Sequence, residues 1–280
     1  MEKKMSKYKT VPTVSKISLK VPFPIEAIIS LPRLGFIDNA FCMMGACGTL
    51  GIPVRRHHGA FWEQGIQNLM EDVVNEGTKK YILTMDYDTW FTHMHVLQLY
   101  WLMEAYPELD AIVPIQSRRE GETPMLTLGG MVKSEETKRN VMASDFNDHD
   151  WVPIDNGHFG LTMFRANSIK KLEKPWFHSQ PNEEGSWKDR RRDADMVFWD
   201  KAMDAGLKVG LATKVFIGHL QMVATFPATP EQGLRACHVK IHDLHAGDVP
   251  KWCIPMVDEN APRRGAVNLE TTDEARISNS

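Results

Sequence analysis

The sequence is poor in cysteine. Four among 280 residues (Cys42, Cys47, Cys237 and Cys253), with no C-x-x-C spacing, exclude a disulfide scaffold or a zinc ribbon. Their scarcity fits a reducing, cytoplasmic compartment. No apolar run reaches the roughly 18–20 residues that a bilayer crossing needs, so no membrane span is expected. The basic start "MEKKMSKYK" is followed by no apolar stretch, so a signal peptide is not expected either. Charge of one sign is also missing: 33 Lys and Arg against 36 Asp and Glu give a net charge of −3 and no global basic field for nucleic acid. Basic character is local, in the N-terminal run and in "KDRRR" (188–192), and such short runs ordinarily coat a solvated surface. There is no internal repeat. What is present, 42% hydrophobic and 25% charged residues, describes a globular chain long enough for a sizeable core.

Residues 1–22 read as a polar arm and 23–230 as the main domain, with halves at 23–117 and 118–230. Residues 231–280 read as an extension that lacks structure from about residue 258, where apolar residues run out. "IEAIISLP" (25–32) is a buried strand ended by Pro32. "IDNAFCMMGACGTLG" suits a helix that Asp38 or Asn39 can cap and Gly48 or Gly51 can stop. "IPVRRHH" returns to strand. Ile66, Leu69, Met70 and Val73 then fall on one helical face that ends near Gly77, and "KYILTMDYD" is a third strand. Strands alternating with helices predict a parallel sheet covered by helices, with ligands beyond the carboxyl ends of the strands. Downstream, Val96, Leu99, Tyr100 and Met103 repeat the helical spacing, and "DAIVPIQS" is a fourth strand. Residues 118–150 have the composition of loops with one hairpin. "GHFGLTMFR" follows as a strand, "ANSIKKLEK" as a short helix, 196–205 as a helix stopped by Gly206, and "LKVGLA" as a strand.

The third strand ends on Asp86 and Asp88. Two like charges at the end of a core strand cost repulsion and desolvation unless a cation joins them. Carboxylates so spaced can organise one magnesium or manganese ion, which takes oxygen ligands and readily keeps substrate phosphates in its shell. The plain alternative is a turn before the helix at 92–104. A separate cluster, His238, His242 and His245 in "HVKIHDLH", has the i, i+4, i+7 spacing of metal ligands on one helical face. It lacks the H-E-x-x-H arrangement, which favours an ordinary polar helix face.

With these residues in place, the chain resembles the nucleotide-sugar-dependent glycosyltransferases of the A-type fold, broadly the family 2 kind. The resemblance runs in order through "ISLP", the block "FWEQGIQNLMEDVVNEGTKKYILTMDYDTWF", "NGHFGLTMFRANSIKKLEKPWF" and "RRDADMVFWDKAMDAGLKVGLATKVFIGHL", within roughly residues 24–220. It implies an α/β fold, a three-layer α/β/α sandwich around a Rossmann-like, mainly parallel sheet. It implies transfer of a sugar from a nucleotide-diphosphate donor to an acceptor hydroxyl, with Mn2+ or Mg2+ as cofactor. Asp86, Asp88 and His219 would hold the metal, and Asp86 with Tyr87 would also border the nucleotide-sugar. Asp195 would be the base of an inverting reaction. Here the family's Glu-Asp pair reads Ala194-Asp195, with Asp193 one step earlier, so both aspartates stand as candidates and a retaining outcome stays open. Ser30, Leu31, Pro32, His57, Gln64 and Asn68 would line the nucleotide, with His58 and Gly59 nearby. Gly157, His158, Phe159 and Gly160 would close over sugar and acceptor, Trp176 would offer a sugar platform, and "KDRRR" would form a lid on the diphosphate. A UDP-sugar is the default donor, with GDP open. The acceptor is open among a glycan, a small molecule, a protein and a modified DNA base. Two other readings stand beside this one. The first is a non-catalytic nucleotide- or carbohydrate-binding module. The second is a sugar nucleotidyltransferase, whose Gly- and Arg/Lys-bearing loop has only Arg33 and Gly35 to answer it.

Overall fold

Strand β1 (Ile25–Leu31) is buried along six consecutive residues, Ile25 to Ser30, as a central strand covered on both faces must be. The computed structural model describes residues 23–32, 34–117, 127–128, 149–188, 191–226, 237–241, 243 and 247. Strands β2 (Val54–His58) and β3 (Tyr81–Met85) pair with β1 in parallel on either side. The helices between them, α1 (Ile37–Leu50) and α2 (Trp62–Glu76), both end on a glycine in the left-handed region, Gly51 (φ 64°) and Gly77 (φ 65°). A side chain resists that conformation, so glycine fixes where each helix stops. Phe36, not Asp38 or Asn39, occupies the cap position of α1, which leaves Asn39 buried and free for another task.

The chain continues through β4 (Thr89–Trp90), α3 (His93–Ala105), β5 (Ala111–Ile115), β6 (Thr127–Leu128), β7 (Trp151–Asn156), β8 (Met163–Arg165), α4 (Ala166–Ile169), α5 (Ala194–Asp204), β9 (Val209–Phe216) and β10 (Gly218–His219). The main sheet has eight strands in the order β2-β1-β3-β8-β5-β9-β7-β6. Strands β1, β2, β3, β5 and β9 share one direction, while β8 and β7 oppose it. Residues 157–162, predicted as part of a strand, form a loop instead. His158 accepts the Gly160 amide hydrogen, and the Thr162 hydroxyl donates to the His158 carbonyl. Local side-chain bonds thus interrupt the regular ladder there, although Thr162 and Gly160 still accept the Thr84 and Asp86 amide hydrogens.

Alternate residues of the strands enter two separate cores. Ile28, Ile82, Val113, Phe164 and Leu211 pack with α2, α4 and α5. Ala27, Ile29, Leu83, Ile112 and Met163 pack with α1 and α3. Two cores on one sheet make the three-layer α/β/α sandwich that the resemblance implies.

The chain divides into two compact units, Met1–Met222 and Val223–Ser280. In the second, β11 (Val223–Phe226) and β12 (Cys237–Lys240) form an antiparallel pair. His238 therefore lies on a strand, which corrects the helical-face reading of the histidine cluster. Its partners His242 and His245 lie outside the described residues, as do the arm 1–22, most of 118–150 and the tail from 258. No helix among the described residues is long and apolar enough to cross a membrane.

Candidate active site

The acidic turn after β3 is tied down at each of its ends. Asn39 donates to the carbonyls of Asp86 (2.9 Å) and Thr89 (2.7 Å). The Asp86 amide donates to the Gly160 carbonyl (3.2 Å), and the Leu220 amide to the Asp88 carbonyl (2.6 Å). Gln116, just past β5, donates to the Gly218 carbonyl (3.1 Å) and to the Thr89 hydroxyl (3.4 Å). Gly160 has to be glycine, because a Cβ there would stand 2.6 Å from Gln116 Oε1 and 3.0 Å from Thr89 Oγ1. A turn held this way is organised before any ligand arrives, as a binding site requires.

The short pair β4–β10 matches Thr89 with His219 and Trp90 with Gly218. It carries His219 to Asp88 across 131 residues of chain, with Nε2 at 3.2 Å from Asp88 Oδ2. Both side chains are buried, at 7% and 4% exposure. The other ring nitrogen, Nδ1, lies 2.8 Å from the Ser117 carbonyl. A carbonyl and a carboxylate are both acceptors, and a neutral imidazole has one N–H. A doubly protonated ring, a protonated Asp88 carboxyl donating to Nε2, or a cation at Nε2 satisfies both contacts. Metal-bound histidines show the last arrangement, with the remaining N–H held by a carbonyl. His158, 2% exposed nearby, is the opposite case. Its Nε2–H donates to the Pro114 carbonyl (2.9 Å) and its Nδ1 accepts from Gly160 (3.1 Å). Burial, then repulsion from His219, push its pKa down to about 4 against the Pro114 bond, so it is a neutral structural ring.

Asp86 sits within this group of charges. Burial first, then Asp88 and more weakly Asp195, push its pKa up to about 7, against the Trp62 indole N–H that donates to it and the nearby His219. Asp88, Asp195 and His219 thus all act electrostatically on Asp86, and Asp86 and Asp88 follow β3 at its carboxyl end. Among the described residues, however, no three His, Cys, Asp or Glu side chains are arranged to hold a metal ion. Two protein ligands suit a magnesium or manganese ion that draws its other ligands from substrate phosphates and water.

The two candidate bases separate. Asp195, part-buried in the first turn of α5, accepts its neighbour Met196's amide hydrogen (2.9 Å). Burial, then Asp193, raise its pKa. Asp193 holds the cap position without a capping bond, is exposed, and pairs with Arg191 at 2.8 Å. Of "KDRRR", Arg191 and Arg192 are thus engaged by Asp193 and Asp200, which leaves neither unpaired for a diphosphate.

On the nucleotide side, β1 and β2 put Ser30 beside His57 and Leu31 beside His58. Gly65 of α2 lets them approach, since a Cβ there would lie 2.6 Å from Ser30 Oγ and 2.7 Å from His57 Cδ2. Gln64 and Asn68 are exposed on α2, as are His58 and Gly59 before it, while Leu31 and Pro32 are part-buried. Tyr87 stacks on Phe36 with centroids 6.4 Å apart. Two expectations on the acceptor side need correction. Trp176 is 2% exposed, with its amide on Gln67 (2.9 Å) and its indole on the Leu172 carbonyl (3.2 Å), so it is a core residue and no sugar platform. Phe159 is buried among Trp62, Phe177, Phe198 and Trp199 and supports the loop from below instead of closing over a ligand. Gly157, pressed against Val113 and Trp199, is buried with it.

Sequence reading missed Asn39, Trp62 and Gln116. Gln116 was within reach of the carboxyl-end rule, because it directly follows β5. Asn39 and Trp62 sit on helices, and their partners become visible only after folding.

No family profile matches the sequence, and no curated protein sequence matches it. Among solved structures, A197 from STIV is similar at a TM-score of 0.47 and 8% identity, over 76% of this chain and 93% of that one. GalNAc-T7, solved with UDP, GalNAc and Mn2+, is similar at 0.46 and 8%, over 72% of this chain and 44% of that one. The mannosyltransferase PcManGT from Pyrobaculum calidifontis, solved with GDP-Man and Mn2+, is similar at 0.41 and 9%, over 74% and 61%. At these values the likeness says nothing about chemistry, which rests on the cleft itself.

Proposed function

We propose that this chain is a divalent-metal-dependent glycosyltransferase that moves a sugar from a nucleotide-diphosphate donor to an acceptor hydroxyl with inversion. The observation that carries the reading is the His219 ring, buried between two acceptors and facing Asp88 at 3.2 Å. Asp88 and His219 would hold the cation together with oxygens of the donor's diphosphate. Bound there, the ion neutralises the charge that gathers on the leaving nucleoside diphosphate.

The chain's own residues do the rest. Asn39, Gln116 and Gly160 keep the acidic turn fixed, so little reorganisation is needed when the donor binds. Ser30, Leu31, Pro32, His57 and Tyr87 line the nucleotide side. Asp195, pushed toward higher pKa by burial, is the group suited to take the acceptor hydroxyl's proton as it attacks the anomeric carbon. Attack from the side opposite the leaving diphosphate inverts that carbon. UDP-sugars are the first donors to test, and GDP-sugars the second.

The test is release of free nucleoside diphosphate from a panel of donors with Mn2+. Asp88→Ala is expected to lower metal-dependent release at least about 1,000-fold, the several kcal/mol that a bound cation contributes. Near-normal release from a folded Asp88→Ala protein would remove the proposal. Binding of donors without release from any would move the chain to the non-catalytic binding module.

A further inference from the structure

The outer face of α1 is apolar and uncovered. Ile37, Phe41 and Met44 follow one another at i, i+4 and i+7 and are 67%, 63% and 56% exposed. Asp38 is the one charged residue of the helix. The next positions on this face are Gly45 and Gly48, both exposed. Beside them runs a groove of about 500 Å³, with Phe41 and Gly45 of α1 on one side and Trp90 of β4, 45% exposed, on the other. Glycine inside a helix is destabilising relative to alanine, so its presence needs a cause. Gly65 and Gly160 have one within the chain, since a Cβ at either would stand 2.6 Å from a neighbouring side chain. At Gly45 and Gly48 a Cβ would meet nothing within 4 Å, and neither residue has a positive φ. Nothing in the surroundings of α1 within this chain calls for those two glycines.

We propose that α1 is a self-pairing surface, which docks antiparallel on α1 of a second copy of this chain across a twofold axis. Its exposed face is its own complement: large side chains fill the first half, and glycines leave a notch in the second. With the axis between Met44 and Gly45, Phe41 of each copy stands opposite the partner's Gly48, and Met44 opposite the partner's Gly45. The two Asp38 carboxylates then lie about 20 Å apart along the helices, roughly twice the screening length in ordinary salt. The area also suits a second copy. Phe41 and Trp90 leave roughly 200 Å² uncovered, and Ile37 and Met44, with Leu34 (86% exposed) just before the helix, a similar area. Apolar atoms make up about six-tenths of an interface, so this corresponds to about 650 Å² per copy. The pair then buries about 1,300 Å², at the low end of specific interfaces, as a reversible dimer would. The pairing goes beyond the chemistry proposed for the cleft and does not depend on it.

The test is sedimentation velocity of the full chain across a concentration series from about 1 to about 200 μM, which brackets a dimer of roughly micromolar dissociation constant. The unaltered protein is expected to pass reversibly from monomer to dimer within that range. Phe41→Glu places a charge at the centre of the face and is expected to stay monomeric throughout, with an unchanged circular dichroism spectrum because the side chain is exposed. The double variant Gly45→Ala, Gly48→Ala fills the notch and is expected to weaken the dimer at least about tenfold. In dilute, monomeric protein the same variant should melt about 3–6 °C higher, because alanine favours the helix. Opposite signs in one variant separate a lost partner from a damaged fold. An unaltered protein that stays monomeric would leave the face to another segment of this chain or to another ligand, and overturn the pairing. So would a dimer that both variants form as readily as the unaltered protein, or an open-ended series of larger oligomers, which a twofold contact forbids. A lower melting temperature in the double variant would show that the chain's own fold requires the two glycines, and would remove the reason for a partner.

Discussion

Asp110 precedes β5 at one end of the sheet, Asp86 follows β3 at the other, and the fold treats these two buried-edge carboxylates in opposite ways. Strands β3 and β5 run in the same direction, because both are antiparallel to β8 between them. At the amino end, burial alone would raise the pKa of Asp110. The Ser168 hydroxyl, the Lys208 amide (2.8 Å) and the Lys171 ammonium (3.2 Å) overcome it and hold the carboxyl below its usual value. At the carboxyl end, burial and the neighbouring Asp88 raise Asp86 to about 7, and the Trp62 indole and His219 oppose them without overcoming them. The protein answers its own charge at one end. At the other, Asp88 and Asp195 act on Asp86, and its carboxyl stays raised. A carboxylate held low is a structural device, and one pushed up by burial and a neighbouring acid is a candidate for a site.

The sharpest way to probe that contrast is at α5, where two aspartates lie two residues apart. Asp195→Asn is expected to lower turnover about 100- to 10,000-fold, the range for losing a general base. Asp193→Asn removes a carboxylate that is exposed and already paired with Arg191, and turnover is expected to stay within about threefold. Steady-state release of nucleoside diphosphate measures both. Equal losses would show that the two ends of this acidic pair are not distinct.

Next in size is the amino end of the sheet. Asp110→Ala leaves the Lys208 amide, the Ser168 hydroxyl and the Lys171 ammonium without their acceptor, at a cost of about 2–4 kcal/mol. The melting temperature should fall by about 5–10 °C while the Mn2+ affinity is unchanged. Because the folded pKa of Asp110 is depressed, its stabilisation is present above the ordinary aspartate range and disappears as pH falls through the folded value. The gap between the two proteins should therefore close in acid. A gap that widened in acid would reverse the assignment.

The same contrast explains what the sequence revealed. Strands β1 and β3 and helix α2 were legible because burial on both faces writes continuous apolar runs into strands and a 3.6-residue period into helices. Gly77 and Gly51 marked helix ends because left-handed backbone excludes most other residues. Asp86 and Asp88 stood out by position, as acids after an apolar strand, and His219 and Asp195 by resemblance; of these the fold pairs Asp88 with His219. What holds those acids was hidden. Asn39 reads as a helix cap and Gln116 as the end of a strand, because each acts on a segment far away in sequence. His158 and Trp176 were misread for the matching reason: a Gly-flanked histidine and a Pro-linked tryptophan look exposed until the chain folds over them. His238 was placed on a helix because three histidines happened to share a helical period, while its strand is set by pairing with β11.

The smallest of these effects is also the most direct reading of the raised Asp86 carboxyl. In metal-free protein, kept so with a chelator, Asp86→Asn is expected to raise the melting temperature at pH 8 by about 2–4 °C, roughly one kcal/mol for a chain of this size. Asparagine is neutral at every pH, and its carbonyl can still accept the Trp62 N–H. Asp86 has a folded pKa of about 7 against a usual 3.8. Between those values the folded state binds a proton that the unfolded state does not, so stability declines as pH rises through that window. Below about pH 4 the carboxyl is protonated in both states, and the two proteins should melt together. The advantage of Asp86→Asn should therefore grow from nothing near pH 4 to its full size above pH 7. An advantage already present at pH 4 would come from packing. A disadvantage at pH 8 would mean that the protein itself, and not an added cation, already balances this charge.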